Sequence, residues 1–169
     1  MESQNINSSC WSNKKTSVSS TDKTVHCPSC NDLSKNVKST TVRHFILDCL
    51  VDKVKDENYY ICSNEYCDIV YYNSNYSSVF TKKDMKIPIW YKKDASPKYI
   101  CYCNKVTEEE IINAVINDDA KDIKDIVKLT GAMKNVNCEI NNPFGKCCSP
   151  HIKATINKAL KMKWFHRKA

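Results

Sequence analysis

Glycine is nearly absent: the 169-residue chain has two, Gly131 and Gly145. So little left-handed backbone freedom excludes a glycine-rich phosphate loop, and no G-x-G-x-x-G occurs for a dinucleotide. Long apolar runs are missing as well. None approaches the roughly 18 residues of a membrane span. The first 24 residues are rich in Ser, Asn, Lys and Thr and do not resemble a signal peptide. No nucleophile–base pair or carboxylate dyad stands out, so the sequence favours electron transfer or metal binding over substrate turnover. The expected compartment is a reducing cytosol, where cysteines serve as metal ligands more often than as disulfides.

Cysteine is what the chain has in excess, 11 of 169 residues. Small domains that cannot bury a large core are stapled by disulfides or metals. One stretch, from Cys101 to Cys148, is organised around thiols. It opens with Cys101-Tyr102-Cys103 and closes with Cys138 and the pair Cys147-Cys148, and both glycines flank Cys138. It reads as a four-thiolate metal site of the [2Fe–2S] kind. The formal charge of +7 counts cysteine as neutral. Eight bound thiolates, one Zn²⁺ and one oxidised cluster core bring it to about +3. Basicity is therefore a weak argument for nucleic acid.

A first cluster precedes that stretch: Cys27-Pro28-Ser29-Cys30, then Cys62-Ser63-Asn64-Glu65-Tyr66-Cys67. Val42, Phe45, Ile46, Cys49 and Leu50 recur at helical spacing, so a helix is expected from Thr41 to about Val54, with Cys49 a buried core thiol. Tyr59–Ile61, Asp68–Tyr72 and Val79–Thr81 read as strands. A C-x2-C and a C-x4-C at strand ends fit a tetrahedral zinc site, because a tight turn can deliver two sulfurs at once. A disulfide pair or a rubredoxin-like iron is the alternative. His26 and His44 are spare, since four thiolates complete the shell. Cys10, with Trp11 in a polar tail, reads as an incidental free thiol.

The connector at 82–99 alternates lysines with Ile87, Pro88, Ile89, Trp90 and Tyr91. Packing between two metal lobes, with the lysines as a solvated face, is preferred over a basic-aromatic nucleic-acid surface. Thr107 and Glu110 form a capping box for a helix bearing Ile111, Ala114 and Val115. Asp118 or Asp119 is expected to cap the next helix, with Gly131 after its end. Ser149 and Pro150 open a last helix with an apolar stripe of Ile152, Ile156, Ala159, Leu160 and Trp164. Thiols beside helix starts meet unpaired N–H groups, which suit an anionic cluster.

Cys101-x-Cys103, a helix pair, and a distal thiol pair before a Pro-led helix resemble the BFD-like [2Fe–2S] domain. That family usually ends C-x2-C. Here the second pair is widened by Asn142-Pro143-Phe144-Gly145-Lys146, and the sequence is similar to the N-terminal region of CopZ-type copper chaperones. Those share the Asn-Pro…Gly-x-Cys-Cys signature and an upstream zinc lobe, and the resemblance spans about residues 25–162. It implies Cys27, Cys30, Cys62 and Cys67 as zinc ligands. It implies Cys101, Cys103, Cys138 and Cys148 as cluster ligands, with Cys147 the alternative to Cys148. His151 and His166 are expected at the surface. The family usually continues into a copper-binding domain with Met-x-Cys-x-x-Cys. The Cys27–Cys30 motif lacks that Met, so copper delivery is not directly implied.

The expected fold is α+β. A small zinc lobe of Cys knuckle, helix and β-hairpin (25–81) and a connector (82–99) precede an all-helical BFD-like lobe (100–162). A disordered tail (1–24) and a basic tail (163–169) flank them. The leading functional expectation is a one-electron redox module linked to copper handling or reduction. The alternatives are a metallochaperone or metal-homeostasis accessory protein, then a zinc-ribbon nucleic-acid module without a cluster. Expected partners are a redox or metal-transfer protein and Cu(I). Neither a membrane nor nucleic acid is expected as a partner.

Overall fold

The computed structural model of the protein describes residues 25–166. The expected tail at 1–24, with Cys10 and Trp11, lies outside the described residues.

The first lobe is built on a sheet of four antiparallel strands in sequential order. These are β1 (Ser34–Val37), β2 (Tyr59–Cys62), β3 (Ile69–Asn73) and β4 (Val79–Thr81). The expected β-hairpin was too small. The missed strand is β1, whose Ser-Lys-Asn-Val sequence has little strand propensity. Its place follows from the knuckle instead: the turn carrying Cys27 and Cys30 runs directly into β1, and Ser34 pairs with Cys62 at the end of β2.

The expected helix also divides. Helix α1 (Ser39–Phe45) stops at Phe45, and Ile46 turns extended. Ile46 then bridges Met85, and Leu47 N–H donates to Asp84 O at 2.8 Å. A 3₁₀ stretch follows at Asp48–Lys53. Cys49 is therefore exposed, not a core thiol. Its helical register ends before it.

The second lobe is not all-helical. A small sheet pairs β5 (Tyr99–Cys101) with β6 (Val106–Thr107). Residues 102–104 make one tight turn, and Lys105 takes the left-handed conformation at φ 54° to close the hairpin. A C-x-C motif needs this turn to aim both thiols one way, and periodicity does not register so short a hairpin. Helices α2 (Glu108–Asn117), α3 (Ile123–Thr130), the single turn α4 (Cys138–Asn141) and α5 (Ser149–His166) complete it. Thr107 and Glu110 cap α2 reciprocally. Asp122, rather than Asp118 or Asp119, caps α3 through Asp125 N–H. Gly131 ends α3 at φ 76°.

Apolar side chains sort into two main cores. Val42, Phe45, Ile61, Val70 and Tyr71 fill the first. Ile111, Ala114, Val115, Ile126, Ile152 and Ile156 fill the second, where α2 packs on α5. Leu160 and Trp164 do not extend the α5 stripe inward; they are exposed. The cores meet through the connector. Trp90 packs against both, and Tyr102 of the second lobe belongs to the core of the first.

Candidate metal centres

The first centre lies at one edge of the four-stranded sheet. Cys27 and Cys30 come from the turn before β1, Cys62 ends β2, and Cys67 precedes β3. Their sulfurs all lie within 4.8 Å of one another. Cys27 Sγ is 3.8 Å from Cys67 Sγ, and Cys30 Sγ is 3.5 Å from Cys62 Sγ. Four sulfurs each about 2.3 Å from one zinc stand roughly 3.8 Å apart at tetrahedral angles, so the quartet fits the ion. Every described cysteine is a free thiol. Burial pushes the Cys27 and Cys62 thiols up, against N–H groups of the knuckles that favour thiolate. A divalent cation offsets that cost of burial. Tyr72 packs on the same cluster of thiols.

The connector grips this centre from outside. Tyr91 OH donates to Cys62 O at 2.6 Å. Lys92, 2% exposed, donates from Nζ to Asn64 O (2.7 Å), Cys67 O (3.0 Å) and Ile69 O (2.9 Å). Lys93 N–H donates to Glu65 O at 3.1 Å. Three consecutive residues thus hold the second knuckle by its carbonyls. Reading the connector lysines as a solvated face missed Lys92. The signal was its place directly after Ile-Pro-Ile-Trp-Tyr. His26 is exposed and bonds Asn31 O, and His44 lies edge-on to Phe45.

The second centre gathers thiols from the β5–β6 turn, α4 and the start of α5. They fall into pairs. Cys103 Sγ is 3.8 Å from Cys138 Sγ. The Cys148 thiol hydrogen-bonds Cys101 Sγ. A cluster of two irons wants two thiolates on each iron, so two pairs suit it as one tight quartet suits zinc. Cys101 and Cys148 are buried; Cys103, Cys138 and Cys147 are half-buried. Met133 N–H donates to Cys101 Sγ and Asn137 N–H to Cys103 Sγ, both at 3.4 Å. The Cys148 N–H donates to Cys138. These donors come chiefly from the loop after Gly131, not from the start of α2. The hydrogen bond from Cys148, then the Met133 N–H, holds the Cys101 thiol down to about 5 against the opposing effect of burial. The neighbouring Cys101 side chain, then burial, push the Cys148 thiol up. His151, expected at the surface, is half-buried with its ring 4.5 Å from that of Trp90.

Comparison with known proteins accords with this layout. Residues 24–86 match a zinc-binding domain family. Residues 99–158 match the BFD-like [2Fe–2S] binding domain. The X-ray structure of the Archaeoglobus fulgidus CopZ N-terminal domain superposes with a TM-score of 0.65 at 35% identity, covering 77% of this chain and 96% of that one. The chain belongs to the CopZ N-terminal domain family. Zinc and a [2Fe–2S] cluster are accordingly the cofactors of its two domains. The copper chaperone CopZ of A. fulgidus is 34% identical over 128 residues, which are 76% of this chain and 60% of that protein. The chain thus spans about 60% of the length of this CopZ relative. Among the described residues no helix is long and apolar enough to cross a membrane.

Proposed function

We propose that the protein is a metal-handling accessory of the copper-chaperone type. Its zinc lobe, held by Cys27, Cys30, Cys62 and Cys67, serves as structure. Its cluster lobe, held by Cys101, Cys103, Cys138 and Cys148, faces the partner. The observation that carries the reading is the second centre: two thiol pairs, one of them half-buried, in a chain similar to a copper chaperone. When bound, a [2Fe–2S] group supplies one-electron chemistry. The chain's own groups set its conditions. N–H groups of Met133 and Asn137 point at sulfur and stabilise negative charge there. Cys103 and Cys138 lie where a partner can approach. Cys147, half-buried beside them, is the thiol left for Cu(I), which is cargo here rather than cofactor. Free thiols suit a reducing compartment such as the cytosol.

Anaerobic purification tests this. The expected protein is coloured, with about two irons, two sulfides and one zinc per chain. Cys148→Ser is expected to bleach it. Cys147→Ser is expected to keep the colour and to weaken Cu(I) binding in competition with a Cu(I) chelator. A colourless protein holding two zincs overturns the cluster assignment. Bleaching by Cys147→Ser alone exchanges the two ligands, and Cu(I) affinity unchanged in both variants removes copper from the proposal.

A further inference from the structure

The ten-residue step between Cys138 and Cys148 looks like an insertion into the cluster lobe, yet its partners come largely from elsewhere. Thr41 Oγ1, on α1, donates to Glu139 O at 2.7 Å, and Lys38 pairs with the Glu139 carboxylate. Tyr71 OH, on β3 and fully buried, donates to Pro143 O at 2.9 Å. The Phe144 ring sits 5.4 Å from that of Tyr91 and 5.5 Å from that of Trp90, with Lys35 Nζ 5.0 Å from its centroid. Within the step, Gly145 N–H closes a turn on Asn142 O at 2.7 Å. Gly145 has φ +62°, and a Cβ there would lie 3.3 Å from both Thr41 Oγ1 and Glu139 O.

Thr41, Lys38, Lys35 and Tyr71 all belong to the zinc lobe. Tyr71 stands four residues beyond Cys67, and its neighbour Tyr72 packs on the zinc thiols. Its ring is fixed at 6.4 Å from that of Phe45 in the zinc-lobe core. Its hydroxyl is therefore a rigid post, set by the sheet that the first knuckle organises.

We infer that Tyr71 is a positioning residue for the cluster. Through Pro143 it holds the strap that sets Cys138 and Cys148, so the zinc lobe governs how firmly the cluster is retained. The inference rests on the cluster ligands assigned above. A buried carbonyl that loses its donor is costly to leave unpaired, and the strap relieves that cost by shifting, which moves both thiols. Linkage makes the coupling reciprocal: a lobe that tightens the cluster is tightened by it.

The test uses the full chain, loaded with both metals under anaerobic conditions. Tyr71→Phe removes the hydroxyl and keeps the ring. It is expected to bind zinc as the wild type does, to release iron to an excess of iron chelator about tenfold faster, and to shift the visible circular dichroism of the cluster. Thr41→Val, at the other end of the strap, is expected to act in the same direction. Tyr59→Phe is the control. It is equally buried in the same lobe, but its hydroxyl accepts from Lys55 N–H, away from the strap. It is expected to release iron at the wild-type rate. Wild-type release from both strap variants, or release from Tyr59→Phe as fast as from Tyr71→Phe, overturns the inference alone. A colourless wild-type protein overturns the cluster assignment and this inference with it.

Discussion

Lys92 shows how much one side chain can decide. A buried ammonium is normally expensive. Here three carbonyls accept from it, two in the second cysteine knuckle and one in β3, and burial, which lowers its pKa, is opposed by the neighbouring thiols. Four thiolates around a zinc ion would carry net negative charge, and Lys92, buried against these knuckles, would serve there as counter-charge and clamp. Lys92→Met keeps much of the stem but removes the charge and all three donors. The expected result is a loss of about 3 kcal/mol of stability, since buried carbonyls are left unpaired, and faster zinc release to a chelator. Thermal unfolding and zinc release kinetics check it. Wild-type kinetics with a lowered melting temperature would make Lys92 a packing residue only.

Among the elements, the loop between α4 and α5 is constrained at Gly145. Gly145 sits in left-handed backbone with carbonyl and hydroxyl oxygens close by. Gly145→Ala costs roughly 1 to 2 kcal/mol from the conformation alone, and the close contacts add to it. A lower cluster yield on reconstitution, with zinc content unchanged, is the expected signature. This loop also shows what was legible in the sequence. The grouping of the cysteines and the placement of both glycines around Cys138 were readable, because closely spaced thiols and left-handed turns demand particular residue types. Strands β1, β5 and β6 were not: β1 is polar, β5 and β6 are only three and two residues long, and all take their place from the knuckle and the C-x-C turn rather than from propensity. The end of α1 at Phe45 was not either. Ile46 leaves the helix to pair with Met85, a partner 39 positions away that no local period reveals. The docking of Phe144 and Pro143 on the zinc lobe was invisible for the same reason.

At the scale of the whole molecule, the question is whether the two lobes behave as one cooperative unit. Trp90 supplies the argument. Its ring lies 5.5 Å from Phe144 of the strap, 4.5 Å from His151 of α5 and 6.3 Å from Tyr102 of the cluster hairpin. Its backbone N–H donates to Tyr102 OH at 3.0 Å, and Tyr102 in turn donates to Pro88 O at 2.7 Å. The next two residues, Tyr91 and Lys92, grip the zinc knuckle. One indole therefore joins the cores of the two metal-binding lobes. The holoprotein is expected to melt in a single transition, with cluster bleaching and loss of near-ultraviolet signal sharing one midpoint. Trp90→Ala should cost roughly 2 to 3 kcal/mol, less than a fully buried tryptophan because Trp90 is half-buried. It should also part the two signals: bleaching moves to lower temperature while the zinc lobe, with its own sheet and knuckles, melts later. Coincident midpoints in Trp90→Ala would mean that the strap contacts at Thr41 and Tyr71 suffice to couple the lobes. Separate midpoints already in the wild type would show that the two metals stabilise independent units.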